Sequence, residues 1–355
     1  MAKVLVKGNE AIAEAAIRAG CRLFFGYPIT PQTEVSAYMA KKMPKIGGTF
    51  LQAESEVAAI NMVYGAGGTG SRVMTSSSSP GISLKSEGIS YIAGADVPCV
   101  IVNIVRGGPG LGGIQPAQSD YFQAVKGGGH GDYHLLVLAP SSIQEMVDLT
   151  SHAFNKADEY RMPVMIMGDG MLGQMMEPVE FPEEEENAVY ASKEDWATTG
   201  TKMERKHNII NSLYIDPNTL ENTVIERQKK YDIIAKEEVM YEEVDTKDAD
   251  IILVAYGTTA RICKTAMAKA REKGIKVGLI RPITLWPFPT VAFDKVCDGK
   301  KKFLTVEMSM GQMVEDVKLS VNGRGEVEFF GRTGGVVPTP NEILAKIEEM
   351  AGGAK

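Results

Sequence analysis

Two α/β domains joined by a polar connector are what the sequence predicts, on three observations. From residue 9 to about 180, short apolar runs alternate with segments of helical periodicity and close on glycine or serine turns, the pattern of β-α units around a mostly parallel sheet. Residues 182–247 break the pattern, being polar, charge-dense and poor in apolar periodicity. The alternation resumes at residue 248. A chain of 355 residues also exceeds what one compact core usually serves, which suits a division into 1–181, 182–247 and 248–355.

The first helix is read from an Asn9 cap, an apolar stripe of Ala11, Ile12, Ala15, Ala16 and Ala19, and Gly20 as its stop. Buried strands are expected at 22–25, 72–75, 98–105, 135–138 and 163–167, with a helix over 52–64. The connector holds one helix, around 220–236. IILVAYG (251–257) is a buried strand with a glycine turn, and RICKTAMAKAREKG (261–274) is an amphipathic helix stopped by Gly274. KVGLIRP, KKFLTVEM and EVEFFG supply further strands before a last helix, NEILAKIEEM.

With 44% hydrophobic and 23% charged residues the composition is that of an ordinary globular protein. A formal charge of -7 argues against a nucleic-acid partner, since phosphate binding needs a basic face. MAKVLVKGNEA lacks an apolar leader and no later run is long enough to cross a bilayer, so no membrane is expected and the location reads as cytoplasmic. The acidic run 183–186 reads as solvated surface, and the tail AGGAK as mobile. Cys21, Cys99, Cys263 and Cys297 lie far apart, without the clustering that iron–sulfur or structural zinc sites need. They read as buried thiols, which puts any redox metal on a partner.

Two glycine motifs read as structure. GAGGTG (65–70) has the spacing of a dinucleotide fingerprint, but it follows a helix where that fingerprint must follow a strand, so these glycines are expected to end a helix before the strand at Val73. GDG (168–170) resembles the start of a magnesium-diphosphate motif, yet the asparagine pair that such a motif needs some two dozen residues later is missing, and only Asn187, in a glutamate run, follows. Asp169 is therefore read as a strand end.

Five pieces in order, GYPITP (26–31), QAESEVAAINMVYGA (52–66), MTSSSSPGIS (74–83), VNIVRGGPG (102–110) and LIRPITLWPFP (279–289), give a resemblance that runs nearly end to end. The chain resembles the alpha subunit of 2-oxoacid:ferredoxin oxidoreductases, and most of all the branch acting on 3-methyl-2-oxobutanoate (ketoisovalerate). The resemblance implies a pyrimidine-binding domain of the thiamine-diphosphate type over 1–181 and a transketolase C-terminal-like domain over 248–355. It also implies thiamine diphosphate shared with a diphosphate-binding beta subunit, magnesium and iron–sulfur clusters on partners that include a ferredoxin-like subunit and a gamma subunit, coenzyme A as co-substrate, and ferredoxin as electron acceptor.

Three residues gain roles from it. The family places a glutamate against the cofactor's pyrimidine, in a segment that maps onto Glu56. A carboxyl among Ala59, Ile60 and Val63 is suited to sharing a proton with a ring nitrogen. Glu54 is the competitor, on a different face if both lie on a helix. Thr30, held between Pro28 and Pro31, would offer its hydroxyl to the 2-oxoacid; the alternative is a tight turn satisfying its own backbone. Arg106, at the end of an apolar strand and the start of a glycine-rich loop, would clamp the substrate carboxylate through a planar guanidinium; the alternative is a solvated strand-end arginine. MTSSSSPG either lines the cofactor pocket or is a serine-rich loop, and His130 reads as structural. In the loop after Arg106, Leu111 and Ile114, with no extra cation nearby in sequence, point to a branched apolar substrate over 2-oxoglutarate or pyruvate. A noncatalytic scaffold subunit and a thiamine enzyme passing acyl groups to another carrier are the rival readings.

Overall fold

The computed structural model describes residues 3–183, 193 and 195–352. Glu184 to Glu186 of the acidic run, Asn187, and the last three residues of the tail lie outside the described residues.

In the first half, β1 (Val4–Lys7) leads to α1 (Gly8–Arg18), β2 (Leu23–Gly26), α2 (Thr33–Lys42) and β3 (Thr49–Gln52). Then come α3 (Glu56–Gly68), β4 (Val73–Ser77), α4 (Pro80–Gly94), β5 (Cys99–Val105) and α5 (Tyr121–Val125). β6 (Leu136–Leu138), α6 (Ile143–Tyr160), β7 (Pro163–Asp169), α7 (Gly170–Gln174) and β8 (Met176–Val179) complete it. The stretch read as connector supplies α8 (Pro217–Glu237) and β9 (Tyr241–Val244). The second half adds β10 (Ile251–Val254), α9 (Gly257–Glu272), β11 (Val277–Pro282), β12 (Thr284–Trp286), α10 (Thr290–Val296), β13 (Lys302–Glu307), α11 (Met313–Val321), β14 (Glu326–Gly331) and α12 (Pro340–Met350).

A seven-stranded sheet runs β12-β6-β7-β5-β4-β2-β3, parallel except where β12 pairs with β6. A five-stranded sheet runs β14-β13-β10-β11-β9, parallel except for β9. β1 and β8 form a separate antiparallel pair. The parallel α/β architecture agrees with the sequence reading. β4, β5 and β7 are buried along their whole length, which is why they read as unbroken apolar or small-residue runs.

Two expectations need correction and a third holds. Asn9 does not cap α1, which starts one residue earlier after Lys7; Asn9 is fully buried in the first turn, and its amide serves another loop. Residues 52–64 are not one helix. Gln52 ends a strand whose backbone ladder with β2 claims it, and α3 begins only after Ser55, whose hydroxyl accepts from Ala58 N at 3.1 Å. The GAGGTG glycines do close a helix, as expected, with Gly70 at φ +80°, and Gly67 has to lack a side chain because a Cβ there would meet Pro98 O at 2.9 Å.

Gln118 pins the halves together. Its backbone N–H donates to Met308 O (2.8 Å), its side-chain amide donates to Tyr256 O (2.9 Å), and its side-chain oxygen accepts from Met308 N (2.9 Å) and Thr259 Oγ1 (3.1 Å). Arg281, 3% exposed, forks onto Glu145 at 2.7 and 3.0 Å and reaches Glu242 at 2.6 Å.

Candidate active site

Glu56 occupies the first position of α3 and is only 6% exposed. It faces α4: a Cβ built on Gly81 would sit 2.8 Å from Glu56 Oε1, so the glycine is what admits the carboxylate. No hydrogen bond reaches that carboxylate among the described residues, although buried polar groups are almost always paired. Glu54 lies ahead of the helix and is exposed, so the two glutamates do not share a helix and are separated by the turn at Ser55.

Beside Glu56 the serine run forms the end of β4 and the entry to α4. Ser76, Ser77 and Ser78 are fully buried. Ser76 Oγ donates to Gln32 Oε1 at 2.6 Å, whereas Ser77 Oγ and Ser78 Oγ have no partner. Ser79 has φ +23°, a costly conformation outside glycine, and is held there by Arg106: its hydroxyl accepts from Arg106 N (3.0 Å) and donates to Arg106 O (3.2 Å). The run left open between pocket and loop is thus a buried, partly unsatisfied hydroxyl cluster.

Arg106 directly follows β5 and is 7% exposed, not solvated. Its Nη1 donates to Thr30 O (2.9 Å) and its Nη2 to Leu111 O (3.0 Å), while Nε is buried without a partner. Thr30 is exposed at the turn before α2, its bond to Pro31 is cis, and the turn is anchored by Asn9 Nδ2, which donates to Pro31 O at 2.7 Å and to Glu34 Oε2 at 2.8 Å. Thr30, Ile114, Pro116, Met171, Gln174 and Val337 line a cleft of about 650 Å³. Leu111 does not line it and is 83% exposed; within this chain it contributes its carbonyl to Arg106 and not an apolar wall. Gly112, at φ +59°, lets the loop fold back so that Gly113 N donates to Gly107 O at 2.9 Å.

The structure therefore joins Thr30 directly to Arg106, and Arg106 through Ser79 to the serine run, whose Ser77 faces the same side of Gly81 as Glu56. Sequence reasoning missed Asn9 as a tether, Gln32 and Lys85. Lys85 is fully buried on α4, with Nζ donating to Thr75 Oγ1 (2.8 Å) and Ser76 O (3.2 Å). Burial pushes its ammonium down to about 7, against the pull of the Glu56 carboxylate. Asn103 Nδ2 donates to Asp120 Oδ2 at 2.9 Å, and burial holds the Asp120 carboxyl above its ordinary range.

Asp169 ends β7 and caps α7, accepting from Met171 N (2.9 Å) and Leu172 N (3.2 Å), a strand-end role as read. Cys21, Cys99 and Cys263 are buried and Cys297 half-buried, and the described residues hold no group of three metal-ligating side chains. His130 uses its carbonyl, which accepts from Ser90 Oγ, and packs its ring edge-on to Tyr91. No described helix is long and apolar enough to cross a membrane.

A buried carboxylate, two orphan hydroxyls and an orphan guanidinium N–H fit a polar bound group such as thiamine diphosphate's pyrimidine and a 2-oxoacid. Comparisons with known proteins agree. Residues 14–243 match the family "Pyruvate flavodoxin/ferredoxin oxidoreductase, thiamine diP-bdg", and 249–343 match "Pyruvate:ferredoxin oxidoreductase core domain II". Ketoisovalerate oxidoreductase subunit VorB of Methanothermobacter marburgensis is 51% identical over 353 residues, 99% of each chain. The 2-oxoglutarate:ferredoxin oxidoreductase from Magnetococcus marinus, solved with 2-oxoglutarate, coenzyme A and succinyl-CoA bound, superposes with TM-score 0.87 at 28% identity, over 98% of this chain and 65% of that one. A split-gene transketolase (TM-score 0.60, 13% identity) shares the fold. The chain belongs to the 2-oxoacid:ferredoxin oxidoreductase family.

Proposed function

We propose that this chain is the alpha subunit of a complex that decarboxylates a branched-chain 2-oxoacid, 3-methyl-2-oxobutanoate, in the presence of coenzyme A, giving acyl-CoA, carbon dioxide and reduced ferredoxin. The 51% identical VorB relative supports the substrate, and the apolar Ile114 in the cleft suits a branched side chain. In this reading residues 1–181 are the pyrimidine-binding unit, 182–247 the connector and 248–355 the transketolase C-terminal-like unit. Beta, gamma and ferredoxin-like partner subunits carry the diphosphate site with magnesium and the iron–sulfur clusters, and the assembly works in the cytoplasm.

When bound, thiamine diphosphate supplies the carbanion equivalent that attacks the ketone and takes the electrons left by departing carbon dioxide. Glu56, 6% exposed, would share a proton with the pyrimidine ring nitrogen when that ring is bound. Ser77 and Ser78 hydroxyls have hydrogen bonds to give to the same group. Arg106 keeps Nε free for a substrate carboxylate while its Nη atoms fix the Thr30 turn, so that the Thr30 hydroxyl stands at the cleft.

The observation that carries the reading is the buried, unpaired Glu56 carboxylate beside orphan hydroxyls. The complex, purified with its partner subunits, is to be assayed for coenzyme A-dependent dye reduction with a panel of 2-oxoacids. Glu56→Gln is expected to lower kcat at least about 100-fold. Unchanged activity in that variant, or no reduction with any 2-oxoacid, refutes it.

A further inference from the structure

Lys85 has no place in the chemistry above, yet nothing about its position is casual. Gly81, Lys85 and Gly88 lie at i, i+4 and i+7 on α4, one face of the helix. That face meets α3 at the matching pair Glu56 and Ile60: a Cβ on Gly81 would meet Glu56 Oε1 at 2.8 Å, and one on Gly88 would meet Ile60 Cγ2 at 2.4 Å. The two glycines bring the helices together, and the lysine stem fills the space between α3, α4 and β4. A methionine or leucine would fill the same space without burying an ammonium, whose desolvation is expensive. Only two of its three N–H donors have partners, Thr75 Oγ1 and Ser76 O.

The groups facing Lys85 are few. From α3 there is Glu56, from β4 the uncharged Thr75 and Ser76, and behind Ser76 the uncharged Gln32. Glu56 is the one charged group that acts on it among the described residues.

We propose that Lys85 is a positioning residue that holds the proton inventory of the cofactor site, balancing the charge of Glu56 so that the pair carries one proton whether or not the cofactor is bound. With the site empty, that proton is on Lys85 and Glu56 is a carboxylate. When a pyrimidine ring nitrogen engages Glu56, the proton between that nitrogen and the carboxylate is matched by the one Lys85 gives up. No net proton then enters from solvent. The ordinary ammonium would be far too basic for this exchange, whereas one that burial has brought down to about 7 is matched to it. The proposal rests on Glu56 facing the pyrimidine.

The test counts protons. Thiamine diphosphate with magnesium is titrated calorimetrically into the cofactor-depleted complex, in buffers of different ionisation enthalpy, near pH ~6.5, where Lys85 is still mostly charged. Lys85→Met is expected to take up about one more proton per cofactor than wild type, and its affinity to weaken about tenfold per pH unit across a range where wild type is nearly flat. In a Glu56→Gln background, Lys85→Met should change neither quantity. Lys85→Gln, which keeps hydrogen-bonding capacity to Thr75, must give the same count as Lys85→Met and replaces it if that variant fails to assemble. Equal proton counts in wild type and the lysine variants overturn the assignment of Lys85 while an inactive Glu56→Gln leaves the reading of Glu56 standing. An active Glu56→Gln overturns that reading instead.

Discussion

Gly81 decides how deeply Glu56 can sit. An added methyl would lie 2.1 Å from Ser77 Oγ, on a short and fully buried side chain, and 2.8 Å from Glu56 Oε1, which could make room only by swinging out of its position against α4. Gly81→Ala is expected to cost on the order of 1–3 kcal/mol and to weaken thiamine diphosphate binding at least about tenfold, measured by thermal unfolding and by cofactor titration. Lys85 gives a pH signature in the same place. Its folded-state value is lowered from 10.5 to about 7, so between those limits the unfolded chain holds a proton that the folded chain lacks, and stability rises with pH. Relative to Lys85→Met, wild type should gain no more than about 5 kcal/mol over that window and gain nothing below it, a difference that paired unfolding curves at several pH values would reveal. Arg106→Lys should raise KM for the 2-oxoacid about tenfold or more, since the one nitrogen of an ammonium cannot replace a planar fork whose Nη1 and Nη2 hold Thr30 O and Leu111 O while Nε points elsewhere. Glu56 and Arg106 were singled out through the family resemblance, and the structure finds both of them buried. Lys85 was not singled out, because a lysine on an amphipathic helix reads as solvated. Asn9 and Gln32 were hidden for another reason: their partners lie 22 to 44 residues away, beyond any local pattern.

Short strands were the elements that the sequence concealed. β1, β3, β9 and β12 have three or four residues each, too few for alternation to register, and each is stabilised by its ladder and not by its own propensity. β3 was absorbed into the helix after it because QAES offers both a strand end and a cap, and the choice was made by pairing with β2. The long buried strands and the amphipathic helices α9 and α12 carry enough periodicity to declare themselves. Between elements, Gln118 is the joint whose loss should be felt most. Gln118→Ala strands Met308 N in a buried setting and takes one of two bonds from Tyr256 O and from Thr259 Oγ1, which keep the 2.8 Å bond between them, and is expected to destabilise by about 1–3 kcal/mol. Differential scanning calorimetry should show either a lower transition or its division into two.

At the scale of the whole molecule, exposed apolar side chains lie on the elements that lead into, carry and face Glu56. Leu51 on β3, Val57 on α3 and Leu84 on α4 are 39%, 45% and 55% exposed. Such side chains suit burial against a partner subunit, here the diphosphate-binding one proposed above. Leu84→Arg is expected to abolish co-purification with that subunit while leaving this chain's own melting temperature nearly unchanged; retention of the complex would count against the face. The seven-stranded sheet carries a different consequence. Its last strand, β12, comes from the far side of the connector, where Thr284 and Trp286 register with Leu138 and Val137, and Trp286 stacks on His134 at 4.3 Å. A protease cut between the halves would leave β6 with its unclaimed backbone, and the separated fragments would each bear what the other lacks. They should reassociate as complementing pieces, with the tryptophan's fluorescence reporting the reunion.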